Sequence, residues 1–244
     1  MIALKTDLLF YGKLCMIVLI LVLSACATIM PALEQVDEPP EKLQRVEEAR
    51  PEKGWFAIRF TIFREKGAEP EWYVGTLIAG EIISPVLDKN KQKIICWRVH
   101  RRAVADKTGH VFSFIFYSSQ TDATKIYQFV KNNKLINKLY QQQLLQKVIY
   151  DPLDNGQKRL ADTSDPAWPE TIRSSWPFFM MGASQMWLEQ IRHYKQETLN
   201  PPEMQQRYRL IQSKMTDLWQ QQGQSAMLHH LNALYAYQAV LVRF

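Results

Sequence analysis

Four side chains that could bind an anion share one parity across three predicted strands. In chain order they are Arg59, Arg98, His100 and Tyr117. Guanidinium groups beside a phenol and an imidazole can hold a carboxylate or a phosphate, and an imidazole can change its charge near neutral pH. The sequence therefore predicts a candidate anion-binding face, at which an enzyme could act on an anionic small molecule.

The same four residues also have a structural interpretation. Antiparallel sheets often leave one face polar and solvated. Alternatively, helices from the C-terminal part of the chain cover the face. The guanidinium groups would then need carboxylate partners, because an unpaired buried charge is very costly. The candidate partners on those helices are Glu170, Glu189 and Asp217.

The remaining reactive residues lack the spacing of a catalytic or metal site. His229 and His230 are adjacent, so on a helix they point about 100° apart and cannot jointly chelate a metal well. The chain contains no H-E-x-x-H, C-x-x-C or G-x-x-x-x-G-K-[ST] motif. Cys96 is more typical of a buried small hydrophobe than of a nucleophile. We expect no metal and no cofactor, and no nucleic acid among the partners.

A short basic segment, an apolar run and a cysteine follow one another at the N-terminus. Two lysines precede ten apolar residues at 14–23. A membrane-spanning helix needs about 20 such residues, so the run suits a signal-peptide core better. It ends in Leu23-Ser24-Ala25-Cys26, which resembles the lipobox of bacterial lipoproteins. The alternative is an ordinary secretory signal, in which Cys26 is incidental.

The lipobox resemblance implies that residues 1–25 are removed and that Cys26 becomes a lipid-bearing N-terminus. Lipoproteins of this kind carry more than one acyl chain, and two or more chains anchor a protein stably. Ala27 stands where Asp, in that family, favours retention in the inner membrane. The resemblance therefore implies an envelope protein that is anchored in the outer membrane and faces the periplasm. Cys96 would then be the lone thiol of the mature chain, which could form no internal disulfide.

Charge is distributed unevenly behind the cysteine. Residues 26–54 contain seven acids, four bases and four prolines, and they predict a flexible tether. The whole chain has a formal net charge of +6. Residues 1–25 carry +1 and the tether carries −3, so residues 55–244 carry +8. A basic body favours anionic partners such as phospholipid headgroups or lipopolysaccharide. The same charge could also serve solubility alone.

Alternating apolar residues predict the strands of an α+β domain over 55–162. Phe56, Ile58, Phe60 and Ile62 alternate in the first strand, as Phe112, Phe114 and Phe116 do in the third. With strands near 55–63, 93–102, 110–118 and 144–150, and helices at 70–84 and from about 121, the order is β-α-β-β-α-β. This order is that of the ferredoxin-like plait. Pro85 is expected to end the first helix.

A turn at Lys107-Thr108 would set the register between the second and third strands. It would place Arg98 opposite Tyr117. By the same register, His100 would lie opposite Ile115.

Several features of the same domain occur together in one known family. Two of these features concern predicted elements: Trp55 opens a strand, and a helix ends near Pro85. The others are short residue patterns, namely Trp97-Arg98-Val99-His100-Arg101-Arg102, Gly109-His110 before an alternating strand, and Val148, Tyr150 and Asp151 after a helix. In these points residues 55–162 resemble the C-terminal, elimination-type domain of lantibiotic dehydratases. The resemblance implies a similar plait. That family acts on cytosolic peptides with glutamyl-tRNA, which an exported lipoprotein would not meet, so no catalytic role is carried over.

The C-terminal part, 163–244, reads as a helical extension packed on the plait. Met204, Tyr208, Ile211 and Met215 have helical spacing, Gly223 is expected to stop their helix, and a final helix follows. Residues 176–187 are rich in Trp, Phe and Met, and they could pack on both the sheet and another helix. Alternatively they could form a greasy groove for a lipid or a partner.

Two classes of function follow from these features. The first is a non-enzymatic envelope lipoprotein that binds an envelope protein or an amphiphilic ligand. The second is an enzyme that acts on an anionic small molecule at the Arg/His/Tyr face. No acid–base pair at a defined spacing supports the second class, so the sequence favours a binding or accessory protein.

Overall fold

The computed structural model describes residues 52–103, 109–154, 156–200 and 203–237. The predicted signal peptide, Cys26 and most of the predicted tether lie outside these described residues. Lipid attachment and the boundary at 25 therefore remain predictions, whereas Lys53 and Gly54, the last two residues of the predicted tether, belong to the first strand.

The described chain is an α+β protein, as the sequence predicted. Its strands are β1 (Lys53–Ile62), β2 (Cys96–Ala103), β3 (His110–Ser119) and β4 (Leu145–Tyr150). They form an antiparallel sheet in the order β2-β3-β1-β4.

Helices follow β1, β3 and β4. Between β1 and β2 lie α1 (Trp72–Ile78), a π-turn (Ala79–Ile83) and α2 (Ser84–Asn90). Between β3 and β4 lie α3 (Gln120–Lys131) and α4 (Lys134–Gln141). After β4 come a 3-10 turn (Leu160–Thr163), α5 (Glu170–Glu197), α6 (Met204–Leu218), a second π-turn (Trp219–Gly223) and α7 (Gln224–Leu234). Within the described ranges, no helix combines the length and apolar character needed to cross a membrane.

One hydrophobic core lies between the apolar face of the sheet and the helices. Phe60, Trp97 and Phe114 belong to it, which confirms the prediction from their alternation. The C-terminal helices contribute to the same core through Leu188, Ile191, Tyr208, Ile211 and Met215. The predicted helical extension therefore packs on the sheet domain.

Two predicted helix ends are wrong, because the chain passes through a π-turn at each place. The helical run continues from α1 through Ala79–Ile83 and past Pro85 into α2. A proline clashes with the preceding turn of a regular helix and has no N–H to donate, and the wider turn reduces both problems. At Gly223 a Cβ atom would lie 2.9 Å from Trp219 Cε3, so glycine serves there to admit the indole rather than to end the helix.

The pairing of β2 with β3 differs by two residues from the prediction. Arg98 pairs with Ile115, and His100 pairs with Ser113. The last pair of these strands is Ala103 with His110, so the register is not the one that a turn at Lys107-Thr108 would set. A shift of two residues preserves the alternation of side chains. The predicted faces of both strands are therefore retained.

Helix α5 lies along the exposed edge of the sheet at β2. The backbone N–H of Val99 donates to Ser184 Oγ at 3.1 Å, so the helix satisfies a group that an edge strand would otherwise leave unpaired. Pro177 lies inside α5 and cannot donate to the carbonyl of Arg173. Ser164 Oγ donates to that carbonyl instead, at 2.8 Å. This bond ties the start of α5 to the connection that follows β4.

Candidate functional site

The four predicted anion-binding residues lie on one face of the sheet, opposite the Phe-rich core. Arg59 and His100 are both paired with Ser113, on its two sides. Arg98 is paired with Ile115, one position further along the sheet. The face that these residues share is called the anion face below, although their individual environments differ.

Arg59 forms an ion pair with Asp151. Its Nη1 donates to Oδ1 of that carboxylate, and its Nη2 donates to Oδ2 at 3.2 Å. The backbone N–H of Asp151 also donates to the carbonyl of Ala57 at 3.0 Å, which fixes the acid at the end of β4. A bidentate pair of this kind neutralises the guanidinium, so Arg59 has a structural role on this face.

The three carboxylates that were predicted as partners for this face do not pair with its guanidinium groups. Glu170 accepts from Arg173 at 3.3 Å, and Glu189 accepts from Arg192 at 2.8 Å. Asp217 is exposed on α6. The acid that pairs with Arg59 comes from the end of a strand, because α5 packs along the sheet edge rather than across the anion face.

Tyr117 is engaged by the connection between β4 and α5. Its hydroxyl donates to the carbonyl of Lys158 at 2.6 Å. Its ring packs edge-on against Trp55 with centroids 5.4 Å apart, and the Trp55 indole N–H donates to the carbonyls of Arg159 and Leu160 at 3.1 Å. Burial and the nearby charge of Asp162 raise the pKa of Tyr117. The phenol therefore stays protonated at neutral pH and acts as a donor that holds the connection in place.

Arg98 lines a cleft of about 250 Å³ on the anion face. Its Nη2 donates to the carbonyl of Thr163 at 3.3 Å, while its Nε is buried without a hydrogen-bond partner. Burial lowers the pKa of this guanidinium. Asp151 and Asp162 also line the cleft, so it presents both signs of charge and could hold a small polar molecule.

His100 and Tyr117 are absent from the described lining of that cleft. Partial burial lowers the pKa of His100, and the neighbouring Arg98 and Arg102 lower it further. The imidazole is therefore neutral at physiological pH. The anion face thus brings Arg59 and Arg98 together in one cleft but leaves His100 and Tyr117 outside its described lining.

A second cationic site, at Arg101 on the opposite face, was missed by the sequence prediction. Arg101 Nη2 donates to the carbonyl of Trp72 at 2.6 Å and to Gln212 Oε1 at 3.0 Å. Its guanidinium lies 5.0 Å from the ring centroid of Trp72 and 5.2 Å from that of Trp187, within the range of cation–π attraction. Burial lowers the pKa of Arg101 to about 10.

A signal for Arg101 was present in the sequence. It shares the parity of Trp97 and Val99 in β2, so alternation alone directs it to the apolar face. The fold admits it there through Gly75 of α1, where a Cβ atom would lie 3.5 Å from Arg101 Nε and 3.3 Å from Phe112 Cδ2.

Arg101 borders a cleft of about 350 Å³ between α5, α6 and the start of α7, which is called the Arg101 cleft below. Its lining is mainly apolar and rich in methionine and tryptophan. The lining residues are Arg101, Ala183, Met186, Trp187, Gln190, Gln212, Met215, Thr216, Trp219 and Met227.

An apolar stripe on α5 leads into this cleft. It consists of Ile172, Trp176, Phe179, Ala183 and Met186, spaced 4-3-4-3 along one side of the helix. Exposed fractions are 46% for Ile172, 41% for Phe179 and 39% for Met186. Met181 and Trp187 pack against the core, as expected for this region, whereas Phe178, Phe179 and Met186 are exposed. Trp176 and Ala183 are half-buried. The five residues of this stripe together are called the α5 stripe below.

Comparisons with known proteins returned no family model, no curated protein and no solved structure that matches this chain. Among the residues that the structure describes, no group of three or more His, Cys, Asp or Glu side chains is placed to hold a metal ion.

Proposed function

We propose that this chain is a lipid-anchored envelope protein that binds a protein partner or an amphiphile rather than catalysing a reaction. The observation that carries the proposal is the α5 stripe. Contiguous apolar surface of this kind is uncommon on a protein without a partner, and it marks sites of interaction with other molecules. Aromatic and methionine side chains, which dominate the stripe, are also those enriched in protein interfaces.

The anchor is proposed from the N-terminal motif. A basic start, an apolar run of signal-peptide length and Leu23-Ser24-Ala25-Cys26 together support lipid attachment at Cys26. Ala27 supports transfer to the outer membrane, with the body facing the periplasm. The basic body, residues 55–244, would then be attracted to anionic headgroups of the membrane.

A ferredoxin-like plait is proposed as the finer description of the fold. The strand order, read from the other edge, is β4-β1-β3-β2. The elements follow as strand, helix, two strands, helices and strand, which supports this assignment. The resemblance of residues 55–162 to the C-terminal domain of lantibiotic dehydratases implies a similar fold and no activity.

An enzyme that acts on an anionic small molecule is the second candidate, and the cleft at Arg98 is what favours it. It ranks lower because Arg59 is neutralised by Asp151 and because Tyr117 donates to a backbone carbonyl. A catalytic base must reach the proton that it removes, and His100 does not line this cleft.

Lipid attachment is tested by the substitution Cys26→Ser in the full chain. We expect loss of label from a fatty-acid probe and accumulation of uncut precursor, because the thiol is the lipid acceptor. Cys96→Ser is the matched control, since that thiol is buried, and it should keep both label and processing. Equal labelling of the Cys26 variant would contradict the anchor. Recovery of the wild-type chain with inner membranes on a sucrose gradient would contradict sorting by Ala27.

The α5 stripe is tested by placing a photo-crosslinking amino acid at Phe179 in intact cells. We expect a covalent adduct with an envelope protein or a lipid. Gln185 is the control position, because it is exposed on another side of the same helix and donates to Glu189. Equal adducts at both positions would show that the stripe is not a specific surface.

A further inference from the structure

Arg101 carries a charge that no described carboxylate neutralises. Its described polar contacts are the carbonyl of Trp72 and the side-chain oxygen of Gln212, and its Nε is buried without a partner. Removing a guanidinium from water is costly when no opposite charge compensates it. Two aromatic rings offset part of that cost through cation–π attraction. An anion in the Arg101 cleft would supply the missing compensation.

The polar end of the cleft is held in place by a hydrogen-bond network. Gln212 Oε1 accepts from Thr76 Oγ1 at 2.6 Å as well as from Arg101. Its Nε2 donates to Thr216 Oγ1 at 3.0 Å. Because both ends of the Gln212 amide are fixed, the amide orients the guanidinium at the cleft wall. The site is therefore built before any ligand arrives, which reduces the entropic cost of binding.

The other end of the cleft is apolar and adaptable. Met186, Met215 and Met227 line it together with Trp187 and Trp219. Methionine side chains are unbranched and polarizable, so they accommodate flexible apolar ligands. The volume of about 350 Å³ falls in the range of about 300–1,000 Å³ typical of small-molecule sites.

We propose that the Arg101 cleft binds a single-chain lipid with an anionic headgroup. The carboxylate or phosphate of the headgroup meets Arg101, and the acyl chain lies along the methionine and tryptophan side chains. The α5 stripe reaches the cleft at Ala183 and Met186, so it provides an apolar path by which the chain enters from the surface. The two ends of the cleft match the two ends of such a lipid in charge and polarity.

This inference rests on the proposed binding function, for which it names a ligand, but it does not depend on lipid attachment at Cys26. Loss of the anchor and loss of the ligand site are therefore separable. The Cys26→Ser test concerns processing, whereas the experiment below reports labelling of residues far from the N-terminus.

The test uses the full chain in phosphatidylcholine vesicles with dodecanoic acid that carries a terminal diazirine. After irradiation, adducts are mapped by peptide mass spectrometry. We expect adducts on α5 near Met186 and on the segment from Met215 to Met227. Arg101→Gln should reduce them about tenfold or more, as expected for loss of a hydrogen bond to a charged group. Lys91→Met, which removes an exposed charge outside the cleft, should leave them unchanged.

Competition identifies the headgroup. Excess dodecanoate, dodecyl phosphate or both should suppress labelling, and their relative potency tells carboxylate from phosphate. Uncharged dodecanol should not suppress it. If dodecanol competes as well as the anions do, or if Arg101→Gln labels like the wild type, the proposal is overturned.

A second variant keeps the test decisive if Arg101→Gln fails to fold. Met186 is 39% exposed, so Met186→Glu should fold, with circular dichroism as the check. The new carboxylate places a charge beside the acyl chain and should also lower labelling several-fold. Unchanged labelling in a folded Met186→Glu protein would contradict the placement of the acyl chain in the cleft.

Discussion

Acidification should destabilise the fold through one buried histidine at the start of β3. His110 is 3% exposed, and its Nδ1 is buried without a partner. Its ring packs edge-on against Trp72 with centroids 5.2 Å apart. Burial, together with the charges of Arg101 and Arg64, lowers the pKa of His110 from 6.5 to about 4, although Glu71 opposes the shift. The native protein therefore holds this imidazole neutral where the unfolded chain would protonate it.

The sign and size of the effect follow from this difference in pKa. Well above pH 6.5 neither state binds the proton, so His110 contributes no pH dependence there. Between pH 6.5 and about 4 the unfolded state gains a proton that the native state does not, so stability falls as the pH falls. The free energy of unfolding falls by about 3 kcal/mol in total by pH 4, because the pKa differs between 6.5 and about 4 and each pKa unit corresponds to about 1.4 kcal/mol.

The assay is urea denaturation of the purified full chain at several pH values between 4.5 and 7, beside a His110→Gln variant. Glutamine does not titrate, so its curve should be flatter across this window. Subtracting the two curves also removes contributions from His100 and from the carboxylates. Parallel curves for the two proteins would refute the assignment of a depressed pKa to His110.

Two further predictions concern packing and the backbone. Phe114 is fully buried, so Phe114→Ala should lower the free energy of unfolding by about 3–5 kcal/mol. Phe178 is 52% exposed, so the control Phe178→Ala should change it by less than about 0.5 kcal/mol. Similar urea midpoints for the two variants would contradict the placement of Phe114 in the core. Ser164→Ala should lower the free energy of unfolding by about 1–3 kcal/mol, because the Arg173 carbonyl, to which Pro177 cannot donate, loses its donor. Ser174→Ala is the control, and equal melting temperatures for the two variants would contradict this role of Ser164.

The apolar face of the sheet could be predicted from the sequence because it depends on alternation within a few residues. Phe60 lies between Arg59 and Thr61, and successive side chains of a strand point to opposite faces, so such an alternation separates an apolar face from a polar one. Helical spacing in the same way predicts one buried side of α6, and Tyr208 and Ile211 on that side are buried. The parity of the anion face survived an error of two residues in register, because an even shift preserves the alternation.

The local signals for helix ends failed at two π-turns. Pro85 and Gly223 are both common at helix ends, yet a π-turn precedes Pro85 and another includes Gly223. At Gly80, in the first of these turns, an added Cβ atom would lie 2.4 Å from the hydroxyl oxygen of Tyr208. The close approach of α6 to this turn is a contact between distant parts of the chain. The residues next to Gly80 in the sequence therefore do not predict it.

The sequence alone determined the α+β class, the composition of the core and the prediction of a lipid-bearing Cys26, because each depends on a local pattern or motif. The tertiary structure decided which cations are neutralised. Arg59 meets its acid 92 residues further along the chain, whereas Arg101 meets aromatic rings and an amide but no described acid. The charge state of a site depends on which distant groups folding brings within a few ångströms, because the interaction between charges in a protein falls steeply with distance and rises with burial.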